Sequence, residues 1–248
     1  MVAVRRGCME PWNKLWYERR TRGRHYWNEH MKITILSTSS THPVNEWIGA
    51  WMRKHGAQHS IDLVRSRKEL SKGDVLFLVS CGEIVTSKDR APYEHTFVLH
   101  ASDLPKGRGW NPHIWAVVNG ETEVTVSILE AEDRVDTGAI WGQLVVPIPK
   151  HFLWDEINKA VFDAEFALMD LVVTGIDTIE PRLQATDIEP TYHRLRTPLD
   201  GRLDPKKSIA DQFDLMRVSD PERYPAFIEM DGYKFTLRLE RVGPVDKT

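Results

Sequence analysis

The chain holds 248 residues, 41% of them hydrophobic and 28% charged, and carries a formal net charge of −3. Such a length allows one large domain, or one domain with a smaller appendage, around a sizeable core. No apolar run nears the ~20 residues that span a bilayer and no excess of positive charge draws a polyanion, so neither a membrane protein nor a nucleic-acid binder is expected.

Residues 1–30 differ from the rest: they are rich in Arg and Trp, show no strand pattern, and precede Met31 at the head of the first clean strand. They lack the continuous apolar centre of a secretory signal. Two readings remain, a basic tail for an acidic partner and a translation start at Met31. The second is preferred, because a fold that opens on a parallel strand rarely needs a prelude. Cys8 and Cys81 lie far apart and match no paired metal or redox spacing, which points to reduced thiols in a cytoplasm.

From Met31 the pattern alternates. "KITILS" suits a buried strand, and "PVNEWIGAWMRKHG" suits a helix opened by Pro43, with Trp47, Ile48 and Trp51 on one face and Gly56 at its end. "SIDLVRS", "DVLFLVSCG" and "TFVLHAS" are short and apolar on both faces, as strands of a helix-covered parallel sheet are. "NPHIWAVVNG" is a predicted helix capped by Asn111, with Pro112 first and Asn119-Gly120 as its stop. "TEVTVSILEA" and "AIWGQLVVPI" are two further strands, and "LWDEINKAVFDAEFALMDLVVTG" is the longest helix, its stripe of Ile157, Val161, Phe166, Met169 and Val173 facing the core. Beyond it the chain turns Pro-rich, then forms a short helix around "SIADQFDLMRVS" and a hairpin through Asp231-Gly232. The predicted plan is an α/β domain over 31–176 and a small C-terminal α+β appendage over 177–248.

The first strand leads into "STSSTHPVNEW", neither a GxGxxG turn nor a P-loop, so a dinucleotide dehydrogenase is not expected. Ten histidines form no HExxH pair, and no metal is expected. Acid–base chemistry remains. His100 closes the strand of "TFVLHASDLPKGRG", at the edge where open α/β sheets bind their ligands. "EDRVDTGAI" puts Asp133 and Asp136 in a loop after another strand. If the two loops face each other, one aspartate orients the imidazole and makes it a usable proton carrier. A hydrogen-bonded strand-end histidine and two solvated acids are the plainer alternative.

The stretch from His100 to Ile140 also resembles the 10-formyltetrahydrofolate-dependent formyltransferases. It carries their His-x-Ser-x-Leu-Pro-x-x-Arg-Gly loop (His100, Ser102, Leu104-Pro105, Arg108-Gly109), a Trp-containing helix ending in Asn-Gly (Trp115, Asn119-Gly120) and an Asp-x-Gly turn (Asp136, Gly138). The resemblance implies a Rossmann-like, mostly parallel catalytic domain. It makes His100 the proton-transfer group and Asp136 the carboxylate that orients it. It gives Cys81, Gly82, Glu83 and Ile84 on one wall, and Asp133 and Val135 on the other, to binding of the co-substrate 10-formyltetrahydrofolate, with no metal required. The family usually has an asparagine two residues before the histidine, where its amide helps hold the formyl oxygen; here Val98 stands there. Asn111 is the candidate replacement donor, set against its ordinary place as a helix cap.

The tail stretches "IEPTYHRLRTPLDGRLDP" and "DPERYPAFIEMDGYKF" look similar to the tail of sugar formyltransferases. The expected partner is therefore a small-molecule substrate, a nucleotide-linked amino sugar. Ser102, Lys106, Arg108, Trp110, Tyr192 and Arg194 are its expected contacts, the cations on phosphate and the aromatics stacked on sugar or base. A homodimer is compatible with this reading. Methionyl-tRNA formyltransferases add a basic RNA-binding barrel for which the tail after Gly175 is too short. The alternatives are methionyl-tRNA or another amine as acceptor, a hydrolase that releases formate from the same folate, and a binding relic of the fold.

Overall fold

The structure, a computed structural model, describes residues 30–244. The extension expected over residues 1–30 lies outside them except for His30, whose Nδ1 meets Gln58 O at 2.8 Å. The first four strands are β1 (Lys32–Leu36), β2 (Ser60–Val64), β3 (Gly73–Leu78) and β4 (Tyr93–His100); β5 is a two-residue strand, Arg108–Gly109. With β6 (Glu123–Glu130) and β7 (Ile140–Pro147) they build one six-stranded sheet in the order β2-β1-β3-β4-β6-β7, from which β5 stands apart. The pairings β1·β2, β1·β3 and β3·β4 are parallel; β4·β6 and β6·β7 are antiparallel. This is the expected α/β fold, with helices covering a mixed, mostly parallel sheet.

The helices are α1 (Asn45–His55), α2 (Ser87–Arg90), α3 (Pro112–Val118) and α4 (Trp154–Gly175). Helix α1 starts at Asn45 because the Asn45 side-chain amide donates to Ser39 O at 2.9 Å and His42 O at 2.7 Å, closing the turn that holds Pro43. Its Trp47 and Trp51 face α4 and donate their indole N–H to Asp163 at 2.8 Å and Asp170 at 2.7 Å, so Trp51 is buried and Trp47 half-buried with the one donor of each satisfied. Ile157, Val161, Phe166, Met169 and Val173 of α4 are buried as expected. Helix α3 departs from expectation at its start. Asn111 has a left-handed backbone with φ 49°, whereas a side-chain cap acts from extended backbone, and its amide makes no cap bond.

Beyond α4 come β8 (Tyr192–His193), α5 (Ile209–Arg217), β9 (Ala226–Met230) and β10 (Tyr233–Leu237). The hairpin β9·β10 turns at Asp231 and Gly232, both at positive φ, as a two-residue turn requires. Strand β8 pairs with β5 in parallel, Arg108 opposite Tyr192 and Gly109 opposite His193. The C-terminal segment is thus sewn onto the loop that follows His100. Among the described residues no helix is long and apolar enough to cross a membrane.

Candidate active site

Alternation along β4 puts Thr96, Val98 and His100 on one face, away from Phe97 and Leu99 in the main core. Strand β3 ends at Leu78 beside Val98, so His100 projects past its neighbour at the carboxyl edge of the sheet. The ring is buried and both nitrogens face protein acceptors. Nε2 lies 2.8 Å from Gly107 O, and a carbonyl only accepts, so Nε2 carries the hydrogen. Nδ1 faces Asp136 Oδ1 at 3.7 Å, with both side chains under a tenth exposed. The two loops singled out in the sequence therefore do face each other.

Asp136 reaches this place by a constrained path. Its other carboxylate oxygen, Oδ2, accepts the Gly109 N–H at 2.8 Å, while its backbone sits at φ 57°, the left-handed region that few side chains favour. Gly138 is needed two residues on, since a Cβ there would lie 1.8 Å from Glu130 O. Gly109, at φ 97°, lies so close to His193 that a Cβ would meet its carbonyl oxygen at 2.4 Å. The glycines of the Arg-Gly and Asp-x-Gly elements are thus places of close backbone approach around one histidine.

Val98 occupies an apolar setting. It packs with Leu104, Leu129 and Ile140, and on its other side against the cluster of Leu36, Leu76, Leu78 and Val85. Asn111 is exposed, and Ser102 Oγ, buried in the loop after His100, has no hydrogen-bond partner among the described residues.

The expected acceptor contacts divide into two groups. Lys106, Trp110, Tyr192 and Arg194 are exposed. Arg108 instead turns inward: it is buried and donates to Tyr192 Oη at 3.2 Å and Gln184 Oε1 at 2.6 Å, while its Nε has no partner. Its guanidinium is committed to the fold around Asp136, and an anion on the surface would compete with those bonds. Tyr192 Oη also accepts from Arg134 at 2.9 Å, and the hydrogen bond from Arg108, aided by Arg134, holds the phenol below its usual range. Arg194 is paired with Asp200 and lies over the Trp115 ring, its Cζ 5.0 Å from the centroid.

Of the residues expected to bind folate, Cys81 to Ile84 follow β3, beside β1 where strand order reverses, the ordinary ligand position of an open α/β sheet, and Asp133 and Val135 lie in the loop after β6. Gly82 N–H donates to Thr38 Oγ1 at 2.9 Å, and the Cys81 thiol, pushed up by burial, donates to Glu83 O at 3.4 Å. Glu83 is turned away, accepting from Arg67 N at 2.8 Å. Ile84 is 63% exposed and Val135 48% exposed, one apolar side chain offered by each wall. Arg90 ties the walls together: it donates to Val85 O at 2.8 Å and to Asp133 Oδ1 at 2.8 Å. The sequence pattern did not single it out, because an arginine at the end of a four-residue helix has no signature.

Other residues close the surroundings. Thr191 Oγ1 accepts from Gly107 N–H at 2.8 Å and Thr191 O from Arg108 N–H at 2.9 Å. His193 stacks on Trp115 with centroids 5.9 Å apart, and burial followed by the nearby His100 lowers its pKa. Burial likewise lowers His113 and His42 to about 4, His42 and His100 adding to the effect on His113 and Arg223 to that on His42. Lowered that far, His113 and His42 favour the neutral imidazole at pH 7. Among the described residues no group of three or more His, Cys, Asp or Glu is placed to hold a metal ion.

A profile of the family described as "Formyl transferase" matches residues 30–173, more than half of the chain. The chain belongs to the formyl transferase family. It is 29% identical over 177 residues to a methionyl-tRNA formyltransferase of Acidobacterium capsulatum, a match that covers 70% of this chain and 56% of that protein. The chain thus spans about half the length of that curated relative. In fold it is similar to a methionyl-tRNA formyltransferase from Clostridium thermocellum, with TM-score 0.73 at 19% identity over 88% of this chain and 95% of the other. It is also similar to a sugar N-formyltransferase from Shewanella sp FDAARGOS_354, with TM-score 0.67 at 18% identity over 86% and 99%.

Proposed function

We propose that the protein transfers a formyl group from 10-formyltetrahydrofolate to the amine of a nucleotide-linked amino sugar. The observation that carries this is the burial of His100 against Asp136, 3.7 Å apart, at the carboxyl edge of a formyl transferase sheet. In such a transfer the acceptor nitrogen bonds to the formyl carbon, the bond from that carbon to the folate nitrogen breaks, and one proton passes from the first nitrogen to the second. His100 and Asp136 are the groups suited to carry it. Gly107 O fixes one ring hydrogen on Nε2, which leaves Nδ1, 3.7 Å from Asp136 Oδ1, as the ring atom that takes up and returns the proton in transfer. The folate ring lies between the walls that Arg90 joins, against Ile84 and Val135.

The sugar acceptor is favoured by the tail, which carries exposed Tyr192 and Arg194 to the rim of the His100 loop. The identity to a methionyl-tRNA formyltransferase favours a second acceptor, methionyl-tRNA, at the same His100–Asp136 pair. Incubation with 10-formyltetrahydrofolate and a panel of nucleotide-linked amino sugars, with methionyl-tRNA alongside, followed by mass spectrometry for a formyl adduct, tests both. An adduct on an amino sugar is expected. An adduct on methionyl-tRNA alone overturns the sugar assignment, and no adduct on any acceptor overturns the activity.

A further inference from the structure

Gln184 belongs to no pattern in the sequence, yet it joins three parts of the site. Its side-chain Nε2 donates to Asp136 O at 2.8 Å and to Gly138 O at 3.0 Å, and its Oε1 accepts from Arg108 Nη2 at 2.6 Å. A guanidinium only donates, so the amide cannot flip: its oxygen must meet Arg108 and its NH2 must meet the two carbonyls. Gln184 is itself pinned, because Arg182 two residues earlier pairs with Ile140, the N–H of each donating to the O of the other at 2.8 and 2.9 Å. Asp136 needs such a brace. A non-glycine residue at φ 57° relaxes towards commoner backbone unless its neighbours over-determine it.

We propose that Gln184 is a positioning residue that clamps the Asp136–Gly138 turn to Arg108 and so holds the Asp136 carboxylate against His100. Its role in turnover rests on the proposed function; its role in placing Asp136 does not. Two variants separate its halves. Gln184→Glu keeps an acceptor for Arg108 but turns an acceptor towards two carbonyls, while Gln184→Met removes both contacts in a side chain of similar length.

The first readout needs no activity. Gly109 N–H donates to Asp136 Oδ2, so its hydrogen exchange reports whether the carboxylate is in place. The Val79 amide, bonded to Leu36 O at 3.0 Å, serves as internal reference. In both variants the Gly109 amide is expected to exchange at least ~10-fold faster relative to Val79. The second readout is steady-state kinetics, where kcat falls about 10-fold with both KM values within about twofold. Unchanged Gly109 exchange overturns the proposal, as does faster exchange with kcat intact, or a loss carried by KM alone. If the unmodified protein transfers no formyl group, the functional reading fails while Gly109 exchange still decides the placement. Should Gln184→Met not fold, Gln184→Glu decides on the same terms.

Discussion

Val98→Asn puts back the amide that the family usually carries beside His100, and the structure sets its cost. Val98 is packed by Leu104, Leu129 and Ile140 on one side and stands beside Leu78 of β3. An amide there has two donors and a carbonyl, and at this half-buried position its apolar neighbours keep water from it only in part. Leaving buried polar groups unmade costs about 1–3 kcal/mol, and for a chain of this size each kcal/mol moves Tm by about 2–4 °C. A fall in Tm of about 2–12 °C, towards the lower end because Val98 is half-buried, is expected, with no rise in turnover. Thermal unfolding and initial-rate formyl transfer on the same preparation check both. If the site were a weakened form of the ordinary one, the new donor would act on the transition state and raise kcat by about 10-fold or more. A gain of that kind with Tm unchanged refutes the expectation.

Arg90→Lys shortens the brace between the two loops proposed to hold folate, and an ammonium cannot reproduce the planar fork to Val85 O and Asp133. KM for 10-formyltetrahydrofolate is expected to rise about tenfold with kcat nearly unchanged. An unaltered KM would show that the walls do not need each other. Glu165 gives a pH-dependent prediction: it is buried in α4, its Oε2 has no partner, and burial raises it from 4.5 to about 8. The folded state then holds a proton that the unfolded chain releases above pH 4.5, so stability declines as pH rises from there to about 8. At about 1.4 kcal/mol per pH unit this costs roughly 3 kcal/mol by pH 7. Glu165→Gln is expected to match the parent near pH 4 and to melt higher at pH 7 to 8. Equal pH dependence in parent and variant, by thermal unfolding, would contradict it.

The six strands of the main sheet and the long helices were readable in the sequence because each buries a periodic apolar face, and because Gly and Pro mark their ends. His100 could be set opposite Asp133 or Asp136 because all three lie in loops at strand ends, and the resemblance to the formyltransferases chose Asp136. The place of Arg108 was not readable. An arginine in a Pro/Gly loop looks like surface, and only the tail running back beside β5 buries it. Gln184, Thr191 and Arg90 were missed for the same reason: their roles are hydrogen bonds to backbone distant in the chain, which leave no spacing. Asn111 misled because "NPHIW" has the letters of a capped helix, whereas the capping geometry depends on a backbone angle that the letters do not show.

The central claim is that one buried imidazole and its carboxylate carry the proton of formyl transfer. It is tested most directly by comparing the initial rate of formyl transfer from 10-formyltetrahydrofolate in the parent, His100→Ala and Asp136→Ala, each shown by circular dichroism to be folded. Each variant is expected to lose at least ~100-fold in kcat/KM, because each removes one member of a single proton-handling unit. Turnover near that of the parent in either folded variant would contradict the assignment.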